Sequence, residues 1–219
     1  MKISFAPLAI LLIMYSIISM DVCASTVSVY SPNEFEILME RIRNDFAKNP
    51  NIEDELKKYD ASNGSFTDID YANTQRTKWP PILHLEHLRD FAFAYTNTQN
   101  KHYKDDSLFD KRQKGLEFWQ ERNPHCNNWW YNQIAEPQEL GVLLIQMRAG
   151  EKQLPSELEH KILKRVKEDG GDPAKWTGAN RTDIALHWIY RSCLTQNETD
   201  LNIAFDHIYS PLIYTTGEG

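Results

Sequence analysis

Apolar residues recur at three- and four-residue intervals along most of this chain, the spacing that lays one stripe along a helix. Ser31-Pro32 reads as an N-cap and a first-turn proline, and Phe35, Leu38, Met39, Ile42 and Phe46 follow on one face. A short second pattern holds Ile52, Leu56 and Tyr59. Pro81 opens a third with Leu85, Leu88, Phe91, Ala92 and Tyr95, and a fourth carries Leu108, Arg112, Leu116 and Trp119 before Pro124. Pro137 reads as the start of a fifth with Leu140, Leu143, Leu144 and Met147, ended by Gly150. Pro155-Ser156 starts a sixth around Leu158, Ile162 and Val166. The seventh begins near Arg181 and buries Ile184, Ala185, Trp188 and Ile189; the eighth holds Leu201, Ala204, Phe205 and Ile208, with Pro211 at its end. No strand pattern is convincing, and Leu212-Ile213-Tyr214 is too short to judge. Short connections make successive helices antiparallel hairpins, which suits a bundle, a solenoid or a curved α/α toroid. The exception is residues 60–79, rich in Asn, Asp, Thr and Gly, which read as a long surface loop.

The leading stretch has a different character. Lys2 precedes an uncharged run from Ile3 to Met20 whose densest apolar part is Leu8 to Tyr15, and Val22-Cys23-Ala24 places small residues at cleavage positions. This pattern predicts a signal peptide over residues 1–24, cut after Ala24, and a secreted or periplasmic mature chain over 25–219. An uncleaved membrane anchor is the alternative, and after cleavage no membrane segment is expected. Export leaves Cys126 and Cys193, which read as two buried thiols rather than a bridge.

Composition narrows the class. With 41% hydrophobic and 25% charged residues, the 219-residue chain is neither disordered nor fibrous. A net charge of −7 argues against a nucleic-acid partner. His84 and His87 lie i, i+3 on a helix, but no third ligand has a fixed spacing to them and no HExxH or paired-Cys motif is present, so no metal or other cofactor is expected. His187 and Tyr190 imitate an acid/base pair on a helix that buries its neighbours, and a satisfied core histidine is the better reading.

Two polar, aromatic segments stand apart. In Asn127-Asn128-Trp129-Trp130-Tyr131-Asn132-Gln133-Ile134, three consecutive rings cannot all face one core, and indole faces flanked by amides suit the C–H faces and hydroxyls of sugars. The second runs Lys175-Trp176-Thr177-Gly178-Ala179-Asn180-Arg181-Thr182-Asp183. Asn180 is suited to cap the seventh helix, with Asp183 completing a capping box, or to aim its amide into a cleft between Lys175 and Arg181. Asn63, Asn180 and Asn197 each head a glycosylation sequon.

In this order, the two segments resemble the N-terminal helical domain of the family 8 polysaccharide lyases, with the nearest likeness to chondroitin AC lyases and a looser one to hyaluronate and xanthan lyases. The matching text is residues 128–135, Pro137-Gln138, Leu140-Gly141, residues 177–187, Tyr190-Arg191 and Leu194-Thr195. The resemblance implies an all-α, incomplete (α/α) toroid built of antiparallel helical hairpins, whose cleft binds an acidic polysaccharide. It further implies that Trp129 and Trp130 form an aromatic patch under the sugar chain and that Asn180 contacts the uronate carboxylate at the cleavage site; residue chemistry adds Asn128, whose amide suits hydroxyls, and Arg181, a flanking cation, as substrate-binding candidates. The implied reaction is β-elimination, in which a base removes the C5 proton, the C4–O bond breaks and an unsaturated uronate remains. Gln133 stands where the family usually has Glu. The family's catalytic His and Tyr are expected just beyond the last helix here, so the chain is expected to be the N-terminal part of a lyase, inactive alone. A truncated toroid is also expected to self-associate through exposed apolar surface. A non-catalytic carbohydrate-binding helical module is the alternative function.

Overall fold

A computed structural model describes residues 32–209. Among the described residues eight α-helices follow in chain order: α1 Pro32–Asp45, α2 Glu53–Lys58, α3 Ile82–Thr96, α4 Asp106–Arg122, α5 Glu136–Arg148, α6 Ser156–Asp169, α7 Gly178–Thr195 and α8 Glu198–Tyr209. A π-helical turn, Tyr131–Ala135, precedes α5, and a 3₁₀ turn, Pro173–Lys175, precedes α7. No strand occurs among the described residues, although an isolated antiparallel bridge joins Tyr59 and Phe66. The predicted signal peptide, the Ser31 cap, Pro211 and residues 212–214 lie outside the described residues.

The helices pair as the hairpins of an incomplete (α/α) toroid. α3 packs on α4 and α5, α5 on α7, and α7 on α8, while α6 lies against α4, α5 and α7, and α1 covers α5 and α7. Position in this array explains each sequence. α5 is enclosed by neighbours and buries ten of its thirteen residues, so its apolar character runs almost all round. α6 has one covered side and buries only Leu158, Ile162, Arg165 and Val166, a stripe at helical spacing.

Local chemistry sets the ends. Asp105 caps α4 through its side-chain oxygen, which accepts the Ser107 N–H at 2.9 Å, and Asn123 closes that helix in the left-handed conformation at φ 47°. Gln196, also left-handed, ends α7, and Asn197 immediately caps α8 by accepting the Asp200 N–H at 3.0 Å. Two residues therefore turn the chain between these helices.

The segment 60–79 is more than a surface loop. Phe66, Ile69 and Trp79 are buried in the core, and Trp79 stands edge-on to Trp119. Its polar residues carry the turns while three apolar ones anchor it, a distribution without helical or strand period. His84 is wholly buried, its Nδ1 paired with the Tyr71 hydroxyl at 2.8 Å and its Nε2 with the Gly115 carbonyl at 3.0 Å. Both ring nitrogens are engaged within the core, and burial pushes the pKa down to about 3.

One buried ionic group joins three helices. Glu136 at the start of α5 pairs with Arg165 of α6 and accepts the Trp119 indole N–H of α4 at 3.1 Å. Burial raises its pKa to about 7, opposed by the Arg165 charge and the indole hydrogen bond. Such a group tolerates loss of neither partner, because the survivor would remain buried and unpaired.

Candidate functional site

The fifth helix does not begin at Pro137. Helical backbone starts at Trp129, passes through the π turn and continues into α5, so Pro137 sits inside a helical run. Asn128 caps this run, its Oδ1 accepting the Trp130 N–H at 3.1 Å. A proline interrupts the ladder by lacking an N–H. The π turn accommodates that gap. The Gln133 carbonyl, four residues before Pro137, instead accepts the Gly171 N–H at 3.1 Å. A proline thus frees a carbonyl that captures the loop leading to α7.

That loop is held from its other side as well. The Gly171 carbonyl accepts the Trp188 indole N–H at 2.9 Å, which explains why Trp188 is half-buried at the surface of α7 rather than interior. A Cβ on Gly171 would lie 2.7 Å from Ile184 Cδ1, so any larger residue would have to displace that buried side chain. From there the 3₁₀ turn, capped by Asp172 accepting the Ala174 N–H at 3.0 Å, delivers Trp176 to Trp129. The two indoles stack with centroids 4.0 Å apart and planes 22° from parallel. The two aromatic segments therefore meet in space.

Around this stack the candidate residues fall as follows. Trp129 is half-buried, and Trp130 is 39% exposed, edge-on to Tyr131 at 5.3 Å. Tyr131 leans in turn on the buried Trp79 at 5.6 Å. Asn128 uses one amide N–H on the Arg76 carbonyl at 3.0 Å, leaving one N–H for another acceptor. Loop residues 74–76 also receive the Asn127 backbone N–H and the Cys126 thiol, so the long loop underpins the platform. Beside Trp129 a polar cavity of about 520 Å³ is lined by His125, Asn132, Gln133, Glu168 and Asp169 among others.

Asn180 does not cap α7. Helical backbone begins at Gly178, where φ is +58° and nothing lies within 4 Å of a would-be Cβ; Thr177 is the cap residue, without a side-chain bond. The glycine turns the chain into the helix three residues earlier than the Asn180-Asp183 pattern suggests. Asn180 thus lies in the first turn, partly exposed, with no hydrogen bond from its amide to the described residues. Arg181 donates from Nε to the Trp176 carbonyl at 2.7 Å, tying that turn to the stacked indole. Lys175 is exposed, 3.9 Å from Asp172. The backbone N–H groups of this turn lack partners within the helix and carry the positive end of its dipole, so the first turn of α7 favours an anion.

Other sequence candidates lie elsewhere. Arg191 is buried, paired with Asp200 at 2.8 Å and packed over Trp188, so it supports α7 and α8 and offers no charge to a ligand. His187 is wholly buried; the Gln133 backbone is near its ring without reaching hydrogen-bond geometry, and burial holds its pKa down at about 3. Tyr190 is buried with its pKa pushed up to about 12. Neither is placed to exchange a proton with a ligand. Cys126 and Cys193 are both buried, unbridged thiols. The sequence reading passed over Trp176 as a partner, although it stands within the second segment; its signal was an aromatic next to a cation in a turn.

Residues 24–219 match the family described as polysaccharide lyase family 8, N-terminal alpha-helical domain, and the chain belongs to that family. It is 38% identical over 181 residues to chondroitinase-AC of Pedobacter heparinus, covering 81% of this chain and 26% of that protein. It also superimposes on a structure of chondroitinase AC lyase solved with oligosaccharides, with a TM-score of 0.77 and 38% identity over 84% of this chain and 28% of the other. A Paenibacillus xanthan lyase shares the fold at a TM-score of 0.57 and 18% identity, over 86% of this chain and 18% of that one. The chain spans about a quarter of the length of the chondroitinase relative it matches.

Proposed function

We propose that this domain holds an acidic, uronate-bearing polysaccharide of the chondroitin or hyaluronan type and serves as the N-terminal part of a secreted lyase that cleaves it by β-elimination. The observation that carries this reading is the contact of Trp129 with Trp176, which supports a site shared by the first aromatic segment and the turn that leads to Asn180. Trp129 and Trp130 offer apolar ring surface to the C–H faces of sugars, and Asn128 offers its remaining amide N–H to a hydroxyl. Asn180, the first turn of α7, Lys175 and Arg181 form the anion-binding end of the site.

The chemistry favours an amide at that end. Removal of the C5 proton loads negative charge onto the uronate carboxylate before the C4–O bond breaks, and a preorganised N–H lowers the energy of that charge. Asn180 is partly exposed, with no hydrogen bond to the described residues to break first. His187 and Tyr190 take no part in proton transfer, so the isolated domain is expected to bind without turnover.

A chimera tests the proposal. This domain replaces the corresponding quarter of the Pedobacter chondroitinase, and unsaturated-uronate absorbance follows chondroitin cleavage. The chimera is expected to turn over, and Asn180→Ala to lower its kcat about 10²-fold with binding of the isolated domain little changed. A folded chimera indifferent to Asn180→Ala overturns the assignment. If the isolated domain binds oligosaccharide but the chimera is inert with native folding, a non-catalytic binding module is the better description.

A further inference from the structure

We propose that Trp176 is a positioning residue: it closes one face of Trp129 and locks the indole platform to the turn that bears Asn180 and Arg181. The inference rests on the polysaccharide-binding reading above and adds a residue to it. At 4.0 Å and 22°, the Trp176 ring occupies the whole of one Trp129 face, so a sugar meets Trp129 only on its other face or edge.

The clamp is fixed at its base. Trp176 donates its N–H to the Pro173 carbonyl at 3.2 Å and accepts Arg181 Nε–H at 2.7 Å. Two residues before Pro173, Gly171 is pinned between the Gln133 carbonyl and the Trp188 indole. Trp129 belongs to the helical run before α5, and Trp176 to the approach to α7. Contact between them is thus a direct side-chain link between the sugar-facing rings and the anion-facing turn. A platform free to rock would present its rings and the amide in many relative poses, and only a fraction would suit one disaccharide. Trp130 is braced separately, through Tyr131 and Trp79, and does not depend on Trp176.

The test uses the intact chain and an unsulfated chondroitin hexasaccharide. Circular dichroism reads the coupled indole band of the stacked pair, calorimetry reads affinity, and thermal melting reads the fold. Trp176→Ala is expected to abolish the coupled band and weaken binding about tenfold, since a stacked aromatic pair contributes on that scale. Trp176→Phe keeps a ring on Trp129 and is expected to restore most of the affinity. Trp129→Ala and the double variant with Trp176→Ala are expected to bind equally weakly, because the second residue acts only through the first. Where Trp176→Ala melts early, Trp176→Leu fills the volume without stacking and must show the same loss.

A folded Trp176→Ala or Trp176→Leu variant that binds like the original chain overturns the positioning role, while loss of binding in Trp130→Ala would leave the polysaccharide reading standing. Absence of binding by the original chain overturns both.

Discussion

At the scale of single residues, burial decides which candidates take part in chemistry. His187 illustrates the cost of a titratable core residue. Its ordinary pKa of 6.5 falls to about 3 in the folded state, first through burial and then through the Arg191 charge. Below pH 6.5 the unfolded chain takes up a proton that the folded chain refuses, so stability is lost as pH falls from 6.5 towards 3. The contribution is about 1.4 kcal/mol per pH unit across that window. His187→Leu removes one such proton, and urea unfolding of the variant is expected to show a slope against pH shallower by that amount. Equal slopes would show that His187 protonates in the folded state. His84 acts with the same sign but has two hydrogen bonds, so its replacement is expected to cost more stability at neutral pH.

At the scale of elements, the helix that begins at Trp129 carries the main lesson. Pro137 in the sequence reads as a helix start because a proline in a first turn loses nothing, whereas one inside a helix forfeits a hydrogen bond. Here the forfeited bond is given to Gly171, an arrangement that depends on a loop distant in sequence and that no local pattern reveals. Pro137→Ala would let an alanine N–H compete for the Gln133 carbonyl. The expected result is faster hydrogen exchange at the Gly171 amide and a weaker coupled indole band, with the α5 helix itself more stable. Unchanged exchange would show that the loop is held by Trp188 alone. By contrast, the eight helices themselves were legible, since stripes such as Leu158, Ile162 and Val166 follow from one covered side. The same local logic failed at α7: Asn180 and Asp183 fit a capping box, yet the open turn at Gly178 starts the helix earlier. Likewise no local pattern reveals that Arg191 is paired with Asp200, which follows from the packing of α7 on α8.

For the whole molecule, charge and site point in opposite directions. The chain carries −7, while its proposed anion-facing turn is flanked by Lys175 and Arg181. Acids more than a Debye length away, about 8 Å at physiological ionic strength, are largely screened, so the local balance is set by Lys175 and Arg181 against the nearby Asp172. Affinity for a chondroitin hexasaccharide is expected to fall several-fold as ionic strength rises from low to physiological values. Arg181→Gln is expected to weaken binding and flatten that dependence, measured by calorimetry at several salt concentrations. A dependence that stays equally steep in the variant would place the sugar's charge elsewhere.

Cys126 lies directly beneath the platform, 1% exposed, its thiol donating to the Gln75 carbonyl at 3.1 Å and its sulfur receiving the Asn128 N–H at 3.4 Å. An alkylating reagent can reach this sulfur only when residues 126–128 part from the loop at 74–76. Its labelling rate is therefore a clock for the breathing of the proposed sugar-facing surface, and a bound glycan that stilled the surface would slow the clock without touching the thiol.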